Sequence, residues 1–228
     1  MPKPSGRVRI GLERAAARAV DYGWSLREIG AGILRPRMPP EFAAGERAPV
    51  LLLPGVLENW TMMRRIARSL HAAGHPVHAL PELRRNTVSV AEAADLGSAF
   101  LAAGALEGVV LVAHSKGGLI GKLMMLEDDG RRIDRMVAIA TPFAGSTLAR
   151  LVPHRTIRAL RPDDATILDL AARRDVDARI TSIFPRFDPH IPGGSRLEGA
   201  TNVEIDAAGH FRVLGDDAVL AAVHAAAD

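Results

Sequence analysis

Short apolar runs alternate with longer amphipathic stretches from residue 49 to the end of the chain. The runs are continuously apolar, as in strands buried on both faces, whereas the stretches repeat apolar residues every three or four positions, as helices do. Because neighbouring parallel strands need a crossover, this alternation predicts an α/β fold, with a mostly parallel central sheet and helices on both faces. The predicted strands are 50–53, 77–80, 109–112, 136–140, 180–184 and 202–205, and the predicted helices are 60–73, 89–103, 116–128 and 216–226.

The first part of the chain has a different pattern, typical of one amphipathic helix over 10–34. Its apolar side contains Leu12, Ala15, Ala16, Ala19 and Val20, and its polar side contains Arg14, Arg18, Asp21, Ser25 and Glu28. Pro36 ends the helix, and Pro39 and Pro40 stiffen the linker that follows. We therefore divide the chain into residues 1–47, a basic helix with a proline-rich linker, and residues 48–228, the α/β domain.

Charge is concentrated at this amino-terminal helix. The formal net charge of the whole chain is only +3, but residues 1–40 contain eight Lys or Arg against three acidic residues. We favour packing of this helix on the core. Because a basic arm attracts anionic surfaces, peripheral membrane contact through residues 7–35 is the alternative. Aromatic residues make up 4% of the chain and do not interleave with the basic ones, so we expect no nucleic-acid binding.

Composition excludes several kinds of chemistry. The 228 residues include no cysteine, which rules out disulfides, thiolate metal sites and a cysteine nucleophile. No apolar run is long enough to span a bilayer, and the polar, basic amino terminus does not resemble a secretory signal. We expect a cytoplasmic protein, peripheral to the membrane if the basic helix binds lipid.

The residues after the third predicted strand have the pattern of a nucleophile elbow. The sequence Ala113-His-Ser-Lys-Gly-Gly118 links a buried strand directly to a helical pattern. In such a tight turn the residues two before and two after the serine must be small, and Ala113 and Gly117 meet that requirement. Alanine replaces the usual glycine at the first of these positions. The turn would present the hydroxyl of Ser115 above the sheet.

A serine hydroxyl needs a base to take its proton, and the base needs an orienting acid. Asp188 follows the fifth predicted strand and His210 the sixth, so both belong at the same edge of the sheet as Ser115. His190 is the rival base, but it stands only two residues after the acid. Asp206, four residues from His210, is the rival acid and fits a cap or turn better. We predict a triad of Ser115, Asp188 and His210.

The turn after the first predicted strand, Pro54-Gly-Val-Leu57, can complete an oxyanion hole. We predict that the backbone N–H groups of Val56 and Lys116 donate to the oxyanion, the second of them at a helix amino terminus where the dipole assists. The side chain of Lys116 is expected to point to solvent.

These motifs, together with the sequence Thr141-Pro-Phe-Ala-Gly-Ser146, resemble the α/β-hydrolase superfamily, and within it the small bacterial serine esterases and lipases. The resemblance covers residues 48–226 and implies cleavage of small-molecule or lipid carboxylic esters through an acyl-enzyme, with no cofactor and no metal. The excursion between 140 and 180 allows a small cap or none. The predicted substrate contacts are Gly55, Leu57, His114, Phe143 and Leu148.

Other functions use the same residues. Thioester cleavage and acyl transfer to an alcohol need the same triad, so only the pocket and its access to water distinguish them from ester hydrolysis. A hydrolase fold that only binds ligands is a further alternative, and the presence of all three triad residues argues against it.

Overall fold

Six strands form one fully parallel sheet in the computed structural model, which describes residues 6–34, 37–128 and 132–228. The strand order is β2-β1-β3-β4-β5-β6. The strands are β1 (Val50–Leu53), β2 (Val77–Ala79), β3 (Val109–His114), β4 (Ile133–Ile139), β5 (Ile180–Phe187) and β6 (Thr201–Ala208). The predicted α/β fold class is confirmed, and every predicted strand overlaps an observed one.

Seven α-helices lie in the described ranges and cover both faces of the sheet. They are α1 (Gly6–Leu34), α2 (Arg64–Ala72), α3 (Val90–Ala103), α4 (Lys116–Glu127), α5 (Arg155–Arg158), α6 (Ala165–Ala172) and α7 (Asp217–Ala227). Alternate residues of β1 point to opposite faces: Leu51 and Leu53 join a core with α3, α4 and α6, whereas Val50 and Leu52 join a core with α2 and α7. The continuous apolar run of β1 therefore serves two cores.

Parallel registration brings the carboxyl ends of the strands to one edge of the sheet. Leu53 pairs with Ala113 of β3, and His114 pairs with Ile139 of β4. The chain leaves β3 at Ser115, β5 at Asp188 and β6 shortly before His210. This edge is where side chains from distant parts of the sequence can meet.

Several element boundaries differ from the pattern-based prediction: α1 begins earlier, at Gly6, and β5 and β6 end later, at Phe187 and Ala208. β4 begins at Ile133, earlier than predicted, because the carboxylate of Asp128 accepts the N–H groups of Arg132 and Ile133 at 2.8 Å and fixes the start of the strand. The predicted helix 60–73 is a 3₁₀ turn, Trp60–Met63, followed by α2.

The segment between β4 and β5 does not form a separate layer over the sheet. It contains a 3₁₀ turn, Thr147–Arg150, and the short helices α5 and α6. Leu160, Ile167 and Leu170 from this segment are buried in the same core as α3 and α4. The prediction of a small cap or none agrees with this packing.

The amino-terminal helix packs with its polar side, not its apolar side, toward the α/β domain. Asp21, Ser25 and Glu28 are buried, whereas Val20 and Leu26 are more than half exposed. The buried carboxylates are satisfied by partners on the domain, which is why the polar side can be buried. Residues 1–5 and 35–36 lie outside the described residues, as do the side chains of Leu12 and Arg14. Within the described residues, no helix combines the length and hydropathy needed to traverse a bilayer.

Candidate active site

The turn between β3 and α4 holds Ser115 in a left-handed backbone conformation, with φ 52° and ψ −121°. Residues other than glycine adopt such a conformation rarely and at a cost in energy. The turn is tight because the start of α4 packs directly against the end of β1 and the residues after β4. A Cβ on Gly117 would lie 1.9 Å from the carbonyl oxygen of Leu53, and one on Gly118 would lie 2.0 Å from Oγ1 of Thr141. Glycine is therefore required at both positions.

A chain of hydrogen-bond contacts at the carboxyl edge of the sheet joins Ser115 to His210 and His210 to Asp188. Ser115 Oγ is 3.0 Å from His210 Nε2, and His210 Nδ1 is 2.7 Å from Asp188 Oδ2. Because a carboxylate can only accept, Nδ1 carries the proton and donates it to Asp188, which leaves the lone pair of Nε2 facing the hydroxyl. The structure thus brings the three side chains together in the order that serine activation needs.

The loop after β5 fixes the carboxylate of Asp188. Its second oxygen, Oδ1, accepts the backbone N–H groups of His190 at 2.7 Å and Ile191 at 3.0 Å. Both oxygens of Asp188 therefore have partners, and the oxygen that faces His210 cannot rotate away without breaking two backbone hydrogen bonds. This arrangement holds the imidazole in one orientation.

Burial and charge act in opposite directions on this pair. Burial by itself lowers the pKa of His210, but the charge of Asp188 and its hydrogen bond, with smaller contributions from Glu58 and Asp21, outweigh burial and raise the pKa above 6.5. Burial raises the pKa of Asp188, and the charge and hydrogen bond of His210 outweigh it, so the net pKa is lowered. The site favours a carboxylate beside an imidazole that is a stronger base than usual.

His190 and Asp206, the alternative base and acid, do not take part in the contacts that join Ser115, His210 and Asp188. His190 packs its ring 4.9 Å from the ring of His210, and burial, followed by the neighbouring charge of His210, lowers the pKa of His190 to about 4. Asp206 is exposed and pairs with Arg186 at 3.0 Å. Neither makes a hydrogen bond to Ser115 among the contacts of the described residues.

Two backbone N–H groups at the carboxyl edge of the sheet, one after β1 and one after Ser115, have no acceptor in the described structure. Within the ranges that the structure describes, neither Val56 nor Lys116 donates its N–H to another group of the protein. Lys116 is the first residue of α4, so the positive end of the helix dipole also lies at this point. Both N–H groups are therefore available to a ligand oxygen.

The side chain of Lys116 is buried, and the expectation that it points to solvent is wrong. Only 1% of the residue is exposed, and its ammonium group donates to the carbonyl of Asn86 at 3.2 Å, to Oδ1 of Asn86 at 2.9 Å and to the carbonyl of Val88. Burial lowers the pKa of Lys116 to about 8, partly opposed by the charge of Glu92. The lysine ties the elbow to the loop 84–89, whose carbonyls supply the acceptors.

A buried carboxylate, Glu58, connects the three loops of the site. Its Oε2 accepts the N–H of Gly55 at 2.8 Å and lies 2.8 Å from Nδ1 of His114. The other ring nitrogen of His114, Nε2, is 3.0 Å from the carbonyl oxygen of His210. Because that carbonyl can only accept, Nε2 of His114 donates its proton to it. The oxyanion turn, the elbow and the histidine loop are thereby joined.

This network corrects two predicted substrate contacts. His114 is fully buried with both ring nitrogens occupied, so it positions neighbouring loops and does not contact a substrate. Gly55 is buried as well, and a Cβ there would lie 2.8 Å from Oε1 of Glu58. Glycine at this position makes room for the carboxylate.

The other predicted contacts differ in exposure. Leu57 is 37% exposed, has a φ of 62° and lines a large cavity. Phe143 is 5% exposed and belongs to the core on the α4 side of the sheet. Leu148 is half-buried in the turn Thr147–Arg150. Of the three, Leu57 is the most exposed.

Asp21 of α1 holds the loop that carries His210, a role that the sequence pattern did not indicate. The carboxylate is fully buried and accepts three consecutive backbone N–H groups, from His210 at 3.0 Å, Phe211 at 2.9 Å and Arg212 at 2.9 Å. The preceding Gly209 has a φ of 121°, and a Cβ there would lie 2.6 Å from Oδ1 of Asp21. A residue of α1 thus fixes the position of the loop that carries His210.

We predict that Asp21→Ala destabilises the protein and, if His210 acts as a catalytic base, slows the reaction that depends on it. Three buried N–H groups would lose their acceptor, which costs about 3 kcal/mol of the free energy of unfolding. A small displacement of His210 would lower kcat by about tenfold or more. Urea unfolding and steady-state kinetics measure the two effects. Ser25→Ala is the matched control, since the hydroxyl of this buried residue bonds only within α1, to the carbonyl of Tyr22. Equal unfolding free energies for Asp21→Ala and the parent would contradict the prediction.

Comparison with known proteins identifies the fold. No protein-family model matches the sequence, and no curated protein matches it either. Solved structures do match. A chain from the metagenome-derived lipolytic enzymes LipS and LipT is 15% identical, with a TM-score of 0.63, over 84% of this chain and 99% of that one.

Two further solved structures agree with this likeness. The monoacylglycerol lipase of Paleococcus ferrophilus is 17% identical, with a TM-score of 0.60, over 82% of this chain and 96% of its own. The mature Bacillus licheniformis lipase BlEst2 is 13% identical, with a TM-score of 0.60, over 84% of this chain and 94% of its own. Together with the parallel sheet and the strand–Ser115–helix turn, these matches show that the chain has the α/β-hydrolase fold.

Proposed function

We propose that this protein is a serine hydrolase that cleaves carboxylic esters through an acyl-enzyme, with Ser115 as nucleophile, His210 as base and Asp188 as orienting acid. The observation that carries the proposal is the continuous contact from Ser115 Oγ through the imidazole of His210 to the carboxylate of Asp188, at 3.0 Å and 2.7 Å. Such a chain makes a hydroxyl nucleophilic at neutral pH.

Acylation begins when Oγ of Ser115 attacks the carbonyl carbon of the ester and Nε2 of His210 takes the hydroxyl proton. Asp188 stabilises the imidazolium that forms, without taking the proton itself. The negative oxygen of the tetrahedral intermediate accepts hydrogen bonds from the N–H groups of Val56 and Lys116. When the intermediate collapses, the bond to the leaving oxygen breaks, Nε2 returns its proton to that oxygen and the alcohol departs.

Deacylation repeats these steps with water. His210 takes a proton from a water molecule as it attacks the carbonyl carbon of the acyl-enzyme, and the same two N–H groups hold the second oxyanion. Collapse breaks the bond to Oγ of Ser115, which regains its proton from His210. The products are a carboxylic acid and the free enzyme, and the reaction needs no cofactor.

The names of the structural relatives support an ester as the substrate. LipS and LipT are described as lipolytic enzymes, and the Paleococcus and Bacillus proteins as lipases. Thioester cleavage and acyl transfer to an alcohol use the same residues and stay alternatives. Membrane contact through residues 7–35 also stays a prediction, and the exposed Val20, Leu26 and Ile33 on α1 support it.

A graded set of substrates tests the proposal. The purified protein is assayed with p-nitrophenyl esters of increasing acyl length, with a matching acyl thioester, and with and without an added primary alcohol. Ester hydrolysis faster than thioester cleavage, with the free acid as product, supports a carboxylesterase. Acyl transfer to the alcohol in preference to water identifies a transferase instead. Absence of turnover with every substrate would contradict the proposal.

The pH dependence of the reaction follows from the raised pKa of His210. Only the neutral imidazole can accept the proton of Ser115, so kcat/KM should fall as the pH drops through the pKa of His210 in the free enzyme. Since that pKa is raised above 6.5, we expect the acid limb of the profile to lie above pH 6.5. Measurement with an uncharged ester keeps the substrate from adding an ionisation of its own. An acid limb well below pH 6.5 would contradict the assignment.

A further inference from the structure

A large cavity lies between the amino-terminal segment and the edge strand β2. It encloses about 750 Å³, within the range of small-molecule sites. Its walls come from α1 and the segment after it, from the turn that follows β1, and from β2 and the loop that follows it. Apolar lining residues include Ile29, Ile33, Met38, Met62, Val77 and Leu80. The cavity can therefore take an apolar chain.

The charges that line this cavity all have one sign. Arg37, Arg84 and Arg85 contribute to its wall, and none of the residues that line it is acidic. All three arginines are exposed, and none pairs with a carboxylate within the described part of the chain. Some exposed arginines elsewhere, such as Arg65 and Arg174, have such partners, whereas Arg68 has none in the described structure. Three free guanidinium groups beside an apolar cavity favour an anion.

Two buried polar atoms of the lining also lack partners. Nε1 of Trp60 and Nε2 of His78 are both inaccessible to solvent and without a hydrogen bond in the described structure. Trp60 is 6% exposed, so its N–H group has lost water without gaining an acceptor. Buried polar groups are rarely left unpaired, but because both atoms are inaccessible, a ligand in the cavity does not reach them in this arrangement.

The cavity adjoins the turn after β1, whereas Ser115 and His210 are not among the residues that line it. Pro54 and Leu57 line it, and they enclose the Gly55-Val56 dipeptide whose second N–H is available to an oxyanion. Arg85 immediately precedes Asn86, which accepts hydrogen bonds from the ammonium group of Lys116 at the elbow. A molecule in the cavity therefore contacts Pro54 and Leu57, the residues on either side of Gly55 and Val56.

From these observations we infer that the cavity binds an anionic amphiphile: an ester substrate whose apolar chain occupies the space between α1 and β2 and whose carboxylate or phosphate pairs with Arg37, Arg84 and Arg85. This inference rests on the proposed function, because it assigns a substrate class to the same reaction. It also gives Ile29, Ile33 and residues 37–43 a role in forming the substrate cavity, in addition to the anchoring of His210 by Asp21.

Matched substrates test the inference. The p-nitrophenyl ester of a medium-chain fatty acid is compared with the mono-p-nitrophenyl ester of the dicarboxylic acid of equal length, so that only a terminal carboxylate differs. We expect the anionic ester to have the higher kcat/KM, with the difference mainly in KM and decreasing as ionic strength rises. A terminal phosphate in place of the carboxylate distinguishes the two anionic groups.

The double variant Arg84→Gln/Arg85→Gln removes two of the three charges. We take each exposed ion pair to raise kcat/KM for the anionic ester about threefold. Loss of two pairs should therefore lower the ratio of kcat/KM for the anionic ester to that for the neutral ester about tenfold. Arg68→Gln is the matched control, since Arg68 is an exposed residue of α2 outside the cavity. A ratio that is the same in the parent, the double variant and the control would overturn the inference, and continued ester cleavage would leave the proposed function standing.

A binding measurement keeps the inference testable without turnover. Ser115→Ala is titrated by calorimetry with a medium-chain fatty acid, and separately with the fatty alcohol of equal length, both below their micelle concentrations. Tighter binding of the acid, lost in the triple variant Ser115→Ala/Arg84→Gln/Arg85→Gln, supports an anion-binding cavity. Equal affinity for acid and alcohol overturns it. Failure of the proposed function would appear separately, as an absence of hydrolysis with all esters.

Discussion

Ser115→Ala is expected to abolish ester cleavage and leave the fold intact. Without Oγ no acyl-enzyme can form, and His210 and Asp188 lose the group on which they act. In a serine protease the loss of the nucleophile lowers kcat by about 10⁶-fold. The activity that remains comes from the oxyanion hole and from substrate binding. The rate is measured with a chromogenic ester, and the circular dichroism spectrum and Tm show whether the fold is retained.

Ser69→Ala provides the matched control for this loss. Ser69 is half-buried on α2, where its hydroxyl lies 2.7 Å from Nε2 of His224. This variant removes a serine that also contacts a histidine, and we expect its kcat to stay close to that of the parent. Activity of Ser115→Ala near that of the parent would show that the nucleophile is another group.

Asp188→Asn is expected to lower kcat by about 10⁴-fold, as neutralising the triad aspartate does in a serine protease. The amide can present N–H groups to Nδ1 of His210, which favours the wrong tautomer and places a proton on Nε2, where it faces Ser115. The variant also removes the charge that raises the pKa of His210. Steady-state kinetics with an uncharged ester measures the loss.

Asp206→Asn is the control for this second loss. Asp206 is exposed, pairs with Arg186 and stands four residues before His210, so it is the other acid that the sequence offers. Its replacement should change kcat little. If Asp206→Asn were the slow variant and Asp188→Asn the active one, the acid of the triad would have been assigned to the wrong residue.

The parallel sheet and the positions of three side chains could be predicted from local patterns. Continuous apolar runs report strands buried on both faces, and the small residues Ala113 and Gly117 around Ser115 report a tight strand-to-helix turn. Parallel strands deliver their carboxyl ends to one edge, so Asp188 and His210 could be predicted from chain order. Each of these inferences depends on sequence neighbours or on a general rule of sheet topology.

The supporting contacts could not be predicted in this way, because they join residues far apart in sequence. Glu58 bonds to Gly55 close by, but its partner His114 is 56 residues away, and Asp21 meets His210 across 189 residues. No local pattern distinguishes a polar residue that will be exposed from one that will be buried with a partner. The polar stripe of α1 was for this reason a poor guide to which side of the helix faces solvent.

The burial of Lys116 also could not be predicted from local sequence. A lysine at the start of a helix is usually solvated, but here the carbonyls of Asn86 and Val88 accept its ammonium hydrogens and allow burial. Asn86 itself is fully buried, has a φ of 48° and donates its side-chain amide to the carbonyl of Pro54 at 2.7 Å. The acceptor set exists only once the loop 84–89 has folded against the elbow.

The most direct test of the central claim is the covalent labelling of Ser115. The protein is incubated with a fluorophosphonate probe, and the modified residue is located by mass spectrometry of its peptides. We predict one equivalent of adduct on Ser115, slowed strongly in Asp188→Asn and absent in Ser115→Ala. An adduct on a different residue, or no adduct at concentrations that label other serine hydrolases, would contradict the assignment of Ser115 as an activated nucleophile.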